Sequence, residues 1–237
     1  MAREDSPFHN LSIEENPVLE VTAQEVTLEQ ELEEHLSHYK ELKSDSPAIE
    51  KAKLEIDIAE CKLGLDLKKE AHEWVHKALP VMLKEKNWES VIDACDIIYN
   101  CEEKDGIIAL GNAIWLAITF PVDPNITVNL LHHIIEETPD DSDGAAVAAM
   151  MAHFIAESRA QAQEKENLTF LTTQIVAKVA ERHRGIKDQE TLNTWIQMYE
   201  LDDMPKLLEK LGIILDAITA NQWWYDRDMI REELPVN

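Results

Sequence analysis

The chain has 237 residues, 45% of them hydrophobic, which is enough to build a core in one domain or at most two small ones. A formal charge of −25 argues against a general phosphate-binding surface, because Lys and Arg supply that attraction. Only 6 Gly and 9 Pro, with β-branched alternation nearly absent, argue against a sheet.

Residues 1 to 26 read as an acidic arm, with Pro7 and Pro17 opposing regular structure and two apolar islands, Phe8 with Leu11 and Val18 with Leu19 and Val21. The opening MAREDSPFHN has no apolar signal core, so the expected compartment is the cytoplasm. Residues 27 to 220 read as a single all-helical domain. Thr27-Leu28-Glu29-Gln30 is a capping box, followed by Leu28, Leu32, Leu36, Tyr39 and Leu42 at helical spacing. Ser46 and Pro47 open a second helix, whose core stripe is Ile49, Ala52, Ile56, Ala59 and Leu63. Gly64 closes it and Asp66 caps the third, with Leu67, Ala71, Trp74, Ala78 and Met82 on one face. So short a connection makes the two an antiparallel hairpin. Asn87 and Trp88 begin a fourth helix.

Gly106 to Val122 is the longest uncharged run in the chain. It is apolar on every side, as a membrane span or a core-centre helix would be. At about 17 residues, broken by Asn112 and fenced by Asp105 and Asp123, it falls short of the roughly 20 a bilayer needs. It is therefore expected to be buried between the 49–82 hairpin and the alanine-rich helix of residues 145 to 162. Asp123-Pro124 starts the intervening helix. The segment 140–144, DDSDG, lacks EF-hand carboxylates at positions 1 and 12, and reads as an acidic cap facing a helix dipole. Asn167, Asp188 and Pro205 open the remaining helices, with Gly185 as a left-handed stop. Residues 221 to 237, with Trp223, Trp224, Ile230 and Leu234, read as an aromatic tail that packs back on the body. About nine or ten helices in stacked antiparallel hairpins are expected.

The segment from Ile49 to Leu83 resembles a tetratricopeptide repeat. Ala59, Ala71 and Ala78 stand at that family's small-residue spacings, with Ile58 preceding and AECKLGLDLKKEAHEWVHKAL as the matching run. Glu55 occupies the place of an aromatic, Pro80 comes early for the closing proline, and no second unit follows at the 34-residue period. The resemblance implies stacked hairpins that hold a partner protein, and it carries no catalytic residues.

His72-Glu73-Trp74-Val75-His76 is an HExxH sequence on a helix. Histidines four apart can share a zinc ion while the glutamate activates its water. His72 and His76 are then the metal ligands, Glu73 the base, and Glu89, in the ExxxD-like run after the hairpin, the third ligand. Against this, the helical wheel puts both histidines off the apolar face, toward solvent, so a satisfied or solvated pair is expected. The ExxH of di-iron bundles would need a second copy, and none exists. His132 and His133 splay apart, and His153 reads as a core-edge histidine. Cys61, Cys95 and Cys101 have no CxxC spacing and no basic setting that would activate a thiol.

These readings converge on a non-enzymatic protein-interaction module, an adaptor or accessory subunit, which needs no cofactor. It would bind another protein, with no direct contact to nucleic acid or membrane. The alternatives are a zinc metallopeptidase built on His72, Glu73, His76 and Glu89, and an acidic mimic of nucleic acid. The mimic would occupy a basic protein and takes its densest carboxylates from Glu29, Glu31, Glu33 and Glu34.

Overall fold

The computed structural model describes residues 17–234, and among them there is no strand. Eleven helices follow in order: α1 (Pro17–Glu41), α2 (Ala48–Gly64), α3 (Lys68–Lys84), α4 (Trp88–Asn100), α5 (Gly106–Thr119), α6 (Pro124–Glu137), α7 (Asp143–Arg159), α8 (Ala162–Arg184), α9 (Gln189–Met198), α10 (Met204–Ile218) and α11 (Arg227–Glu233). The helix not foreseen is α11, in the tail, where the Asp226 carboxylate accepts the N–H groups of Asp228 and Met229. No described helix is long and apolar enough to cross a membrane.

Where a capping side chain is present, a helix starts beside it. Asn87 accepts from Ser90 N–H, Asp123 from Asn125, Ser142 from Gly144, Asp188 from Thr191 and Asp203 from Lys206. Three expectations shift. Helix α1 is already under way at Pro17, so Thr27 lies inside it and only residues 1–16 of the expected arm, with Phe8 and Leu11, fall outside the described residues. Asp66 does not cap α3; it takes a left-handed φ of 58° in the turn, and Leu67 precedes the helix. Helix α3, whose stripe was expected to reach Met82, does run through Pro80, to Lys84. The alanine-rich α7 stops at Arg159, and Asn167 lies within α8.

Helix α5 is buried through ten consecutive or near-consecutive positions, from Gly106 to Ala117. Its neighbours differ from those expected. It packs chiefly on α4, then on α10 and α6, while α7 packs on α6, α8 and α10. A short turn places each helix against the next in sequence, so α4 reaches α5 before the α2–α3 pair can. Gly111 lies against the end of α10: a Cβ built there would collide with Cγ2 of Thr219, the residue that ends that helix. The C-terminal end of α5 is closed by Arg159, whose guanidinium donates to the carbonyls of Ala117, Ile118 and Phe120 at 2.7, 2.6 and 3.0 Å. A cation there meets the negative end of the helix dipole.

Asn112, which interrupts the apolar run, is fully buried and fully engaged. Its Nδ2 donates to the carbonyls of Ile108 and Gln222, and its Oδ1 accepts from Trp224 N–H. Its own carbonyl accepts from Tyr225 Oη at 2.6 Å. Trp223, Trp224 and Tyr225 are thereby held against the core, and Ile230 of α11 is buried. In the other direction α1 lies on α2, with Tyr39 Oη donating to Glu55 Oε1 at 2.7 Å and its ring edge-on to Trp74 of α3. Ala59, Ala71 and Ala78 have no exposed surface, which lets α2 and α3 run close together along their length.

Candidate functional site

Helix α3 turns its buried stripe, Ala71, Val75, Ala78, Leu79 and Met82, to the core. A second stripe one step round, Lys68, His72 and His76 at four-residue intervals, faces the turn between α4 and α5. A left-handed residue and an ion pair fix that turn. Glu102 adopts a left-handed φ of 59°, which few residues other than Gly or Asn take up cheaply, and its carboxylate pairs with Lys68 Nζ at 2.7 Å. The chain then delivers Asp105 to the histidines. His72 Nε2 lies 2.9 Å from Asp105 Oδ1, His76 Nε2 lies 2.8 Å from Oδ2, and the two Nε2 atoms are 3.1 Å apart. The side chains are 25%, 38% and 29% exposed, for His72, His76 and Asp105, so solvent reaches all three.

Burial would raise the pKa of the Asp105 carboxyl, but hydrogen bonds from His72, its own N–H and His76, with the His72 charge, outweigh it and hold the group below its ordinary value. A carboxylate is thus present for either a proton or a metal ion on the imidazoles. The histidine pair lies toward solvent, as the helical wheel implies, and Asp105 joins it to make a three-residue cluster. Its third member is Asp105, not Glu89: Glu89 lines other clefts, with Ile92, Asp93, Val122 and Asp123 and with Trp88 and Phe120. Glu73 is exposed on α3 beside His72. A peptidase also needs a cleft for its substrate beside the ion. The cleft beside the α4–α5 turn, among Tyr99, Glu103, Ile107, His133 and Glu137, includes neither histidine.

The sequence read Asp105 only as a fence at the end of the apolar run. Nothing local to it signals a partner 29 or 33 residues upstream. The other titratable candidates lead elsewhere. His153 Nδ1 bonds with Thr172, and His133 stands against the Tyr99 ring. Cys101 is pushed up to about 11, and Cys95 further still, by burial and then by nearby carboxylates, which leaves neither as a ready thiolate. The carboxylates of Glu29, Glu31, Glu33 and Glu34 are exposed on α1.

A second feature lies at the other end of the helix order. Helices α6 and α8 both pack on α7 and barely touch each other, leaving a cleft of about 640 Å³ between them. Its floor is apolar, with Val128, Ile135, Leu168, Ile175 and Val179 buried or nearly so, and Leu171 is half exposed on its lip. Lys178 and Arg182 stand on the α8 wall, and Arg182 donates to Ile135 O at 2.7 Å across the cleft. Comparison with known proteins finds no matching family model, no matching curated protein and no matching solved structure.

Proposed function

We propose that the chain is a non-enzymatic protein-interaction module, an adaptor or accessory subunit built on stacked antiparallel helical hairpins. Its α6–α8 groove holds an amphipathic helix of a partner protein. The groove itself carries the reading. It has an apolar floor, an exposed leucine on its lip, and walls of 14 and 23 residues, the shorter about 20 Å long. An amphipathic helix seats its apolar stripe in such a trough through side chains at i, i+3, i+4 and i+7. Lys178 and Arg182 favour a helix with an acidic residue on the α8 side, an unusual demand for a chain whose charge is −25. The small-residue spacing of Ala59, Ala71 and Ala78 supports the hairpin architecture.

The test is a photoreactive amino acid placed at Leu171 and, as a control, at the exposed Glu50 of α2, each in the full chain in its native host. A partner crosslinked from Leu171 alone, and lost on Lys178→Glu, supports the reading. Equal crosslinking from both positions, or none at Leu171, overturns it.

A further inference from the structure

We propose that His72, His76 and Asp105 form a binding site for one divalent transition cation of the zinc class, with a fourth coordination position open to water. Three donors from two distant segments converge on one point. Zinc bonds of about 2.0–2.1 Å at tetrahedral angles set neighbouring ligand atoms roughly 3.3 Å apart. The three separations here, 2.8, 2.9 and 3.1 Å, need to open by only a few tenths of an ångström. Two imidazoles and one carboxylate suit zinc and its transition-metal neighbours, whereas magnesium and calcium demand oxygen.

The second observation is what Asp105 does not do. It stands at the N-cap of α5, yet its carboxylate makes no capping hydrogen bond. Asp123, Asp188, Asp203 and Asp226 hold the same position on other helices, and each caps its helix with its side chain. Asp105 alone of these five is turned away, onto the histidines. Without an ion, two imidazole Nε2 atoms 3.1 Å apart can both serve Asp105 only as N–H donors that crowd one another. An ion in place of those two protons converts the crowding into coordination. The Lys68–Glu102 pair braces the turn that presents Asp105, so the site is assembled before the ion arrives.

Zinc content is measured on tag-free full-length protein, dialysed against zinc chloride and then against buffer, alongside His76→Asn, Asp105→Asn and the control His133→Gln. One zinc per chain is expected for the parent and the control. Loss of a direct ligand should weaken binding by more than the 10–100-fold that removal of an outer-shell partner costs. Circular dichroism checks that each variant is folded. Cobalt added to the parent is an independent readout that needs no variant: a four-coordinate site gives intense visible absorption, which zinc then abolishes. Substoichiometric zinc with no such absorption overturns the proposal. So does full retention of zinc by folded Asp105→Asn, which would assign the ion to other groups.

Discussion

Gly111→Ala is the sharpest probe of how α5 meets α10. In an exposed helix this change gains about 1 kcal/mol, because alanine costs less backbone entropy. Here the new methyl would collide with Thr219 Cγ2 and lie 3.3 Å from Ile218 Cγ1. Thr219 has no exposed surface, is stiff at χ1 as a β-branched residue, and donates its hydroxyl to Leu215 O at 2.8 Å. It cannot swing aside, so the helices must separate; overpacking costs about 1–3 kcal/mol, here at the upper end, and the propensity gain of about 1 kcal/mol offsets part of it. The variant should be destabilised by about 1–2 kcal/mol in urea melts followed by far-ultraviolet circular dichroism. Thr219→Ser removes the offending methyl, keeps the hydroxyl, and by itself leaves a small void worth about 1 kcal/mol. In the double variant the alanine methyl fills that void, so stability should return to within about 1 kcal/mol of the parent. A single Gly111→Ala variant as stable as the parent, or strictly additive single effects, would refute the contact and with it the placement of α10 on α5.

Asn112→Ala removes three hydrogen bonds between the buried carboxamide and part-buried backbone groups of Ile108, Gln222 and Trp224, and should cost about 2–3 kcal/mol. Amide exchange at Trp224 should accelerate before exchange elsewhere. Burial first, then Glu60, Asp96 and Glu89, push the Asp93 carboxyl up to about 6 from 3.8. A folded pKa above the unfolded one means protons are taken up on folding, so stability rises as pH falls from about 7 toward 4. Asp93 is crowded by its neighbours but keeps one side open to solvent, so screening limits the gain to about 1 kcal/mol, and Asp93→Asn should flatten that part of the pH–stability curve.

Helix starts were legible because they depend on a single side chain reaching a nearby N–H, as at Asn87, Asp123 and Asp188. Helix ends were legible only in part, with Gly64 closing α2 and Gly185 closing α8 as expected. The sequence marks a left-handed stop with Gly at Gly185, but the same geometry is taken by Asp66, Lys86, Glu102 and Glu200. At three of these turns the closing bond is identical in kind: Leu67 N–H to Lys62 O, Asn87 to Met82 and Leu201 to Ile196. Tertiary packing offsets the strain, and no residue type announces it. The break between α7 and α8 was missed for a related reason. Ala160 and Gln161 are ordinary helix residues in extended conformation, and Arg159 turns there to close α5 instead of continuing its own helix. The buried character of α5 followed from its apolar run, whereas its neighbours did not, because hydrophobicity says that a face is covered and not by what. The candidate site followed the same division. The HExxH spacing put His72 and His76 side by side, but Asp105 joins them only through the path of α4 and its turn.

Asn112 also imposes an order on synthesis. Its carboxamide sits in the middle of the most apolar helix, and its outward bonds end on Gln222 and Trp224, more than a hundred residues further along. While the ribosome is still making α6 to α10, the Asn112 carboxamide has Ile108 O but lacks its partners at Gln222 and Trp224, and burying it without them would incur that penalty. Residues 17–200 can therefore gather as helices on the ribosome without closing over α5. The core seals only when the WWY segment emerges, so a nascent chain stalled before residue 222 should remain loosely packed and open to chaperones, and a finished one should lock in a single late step.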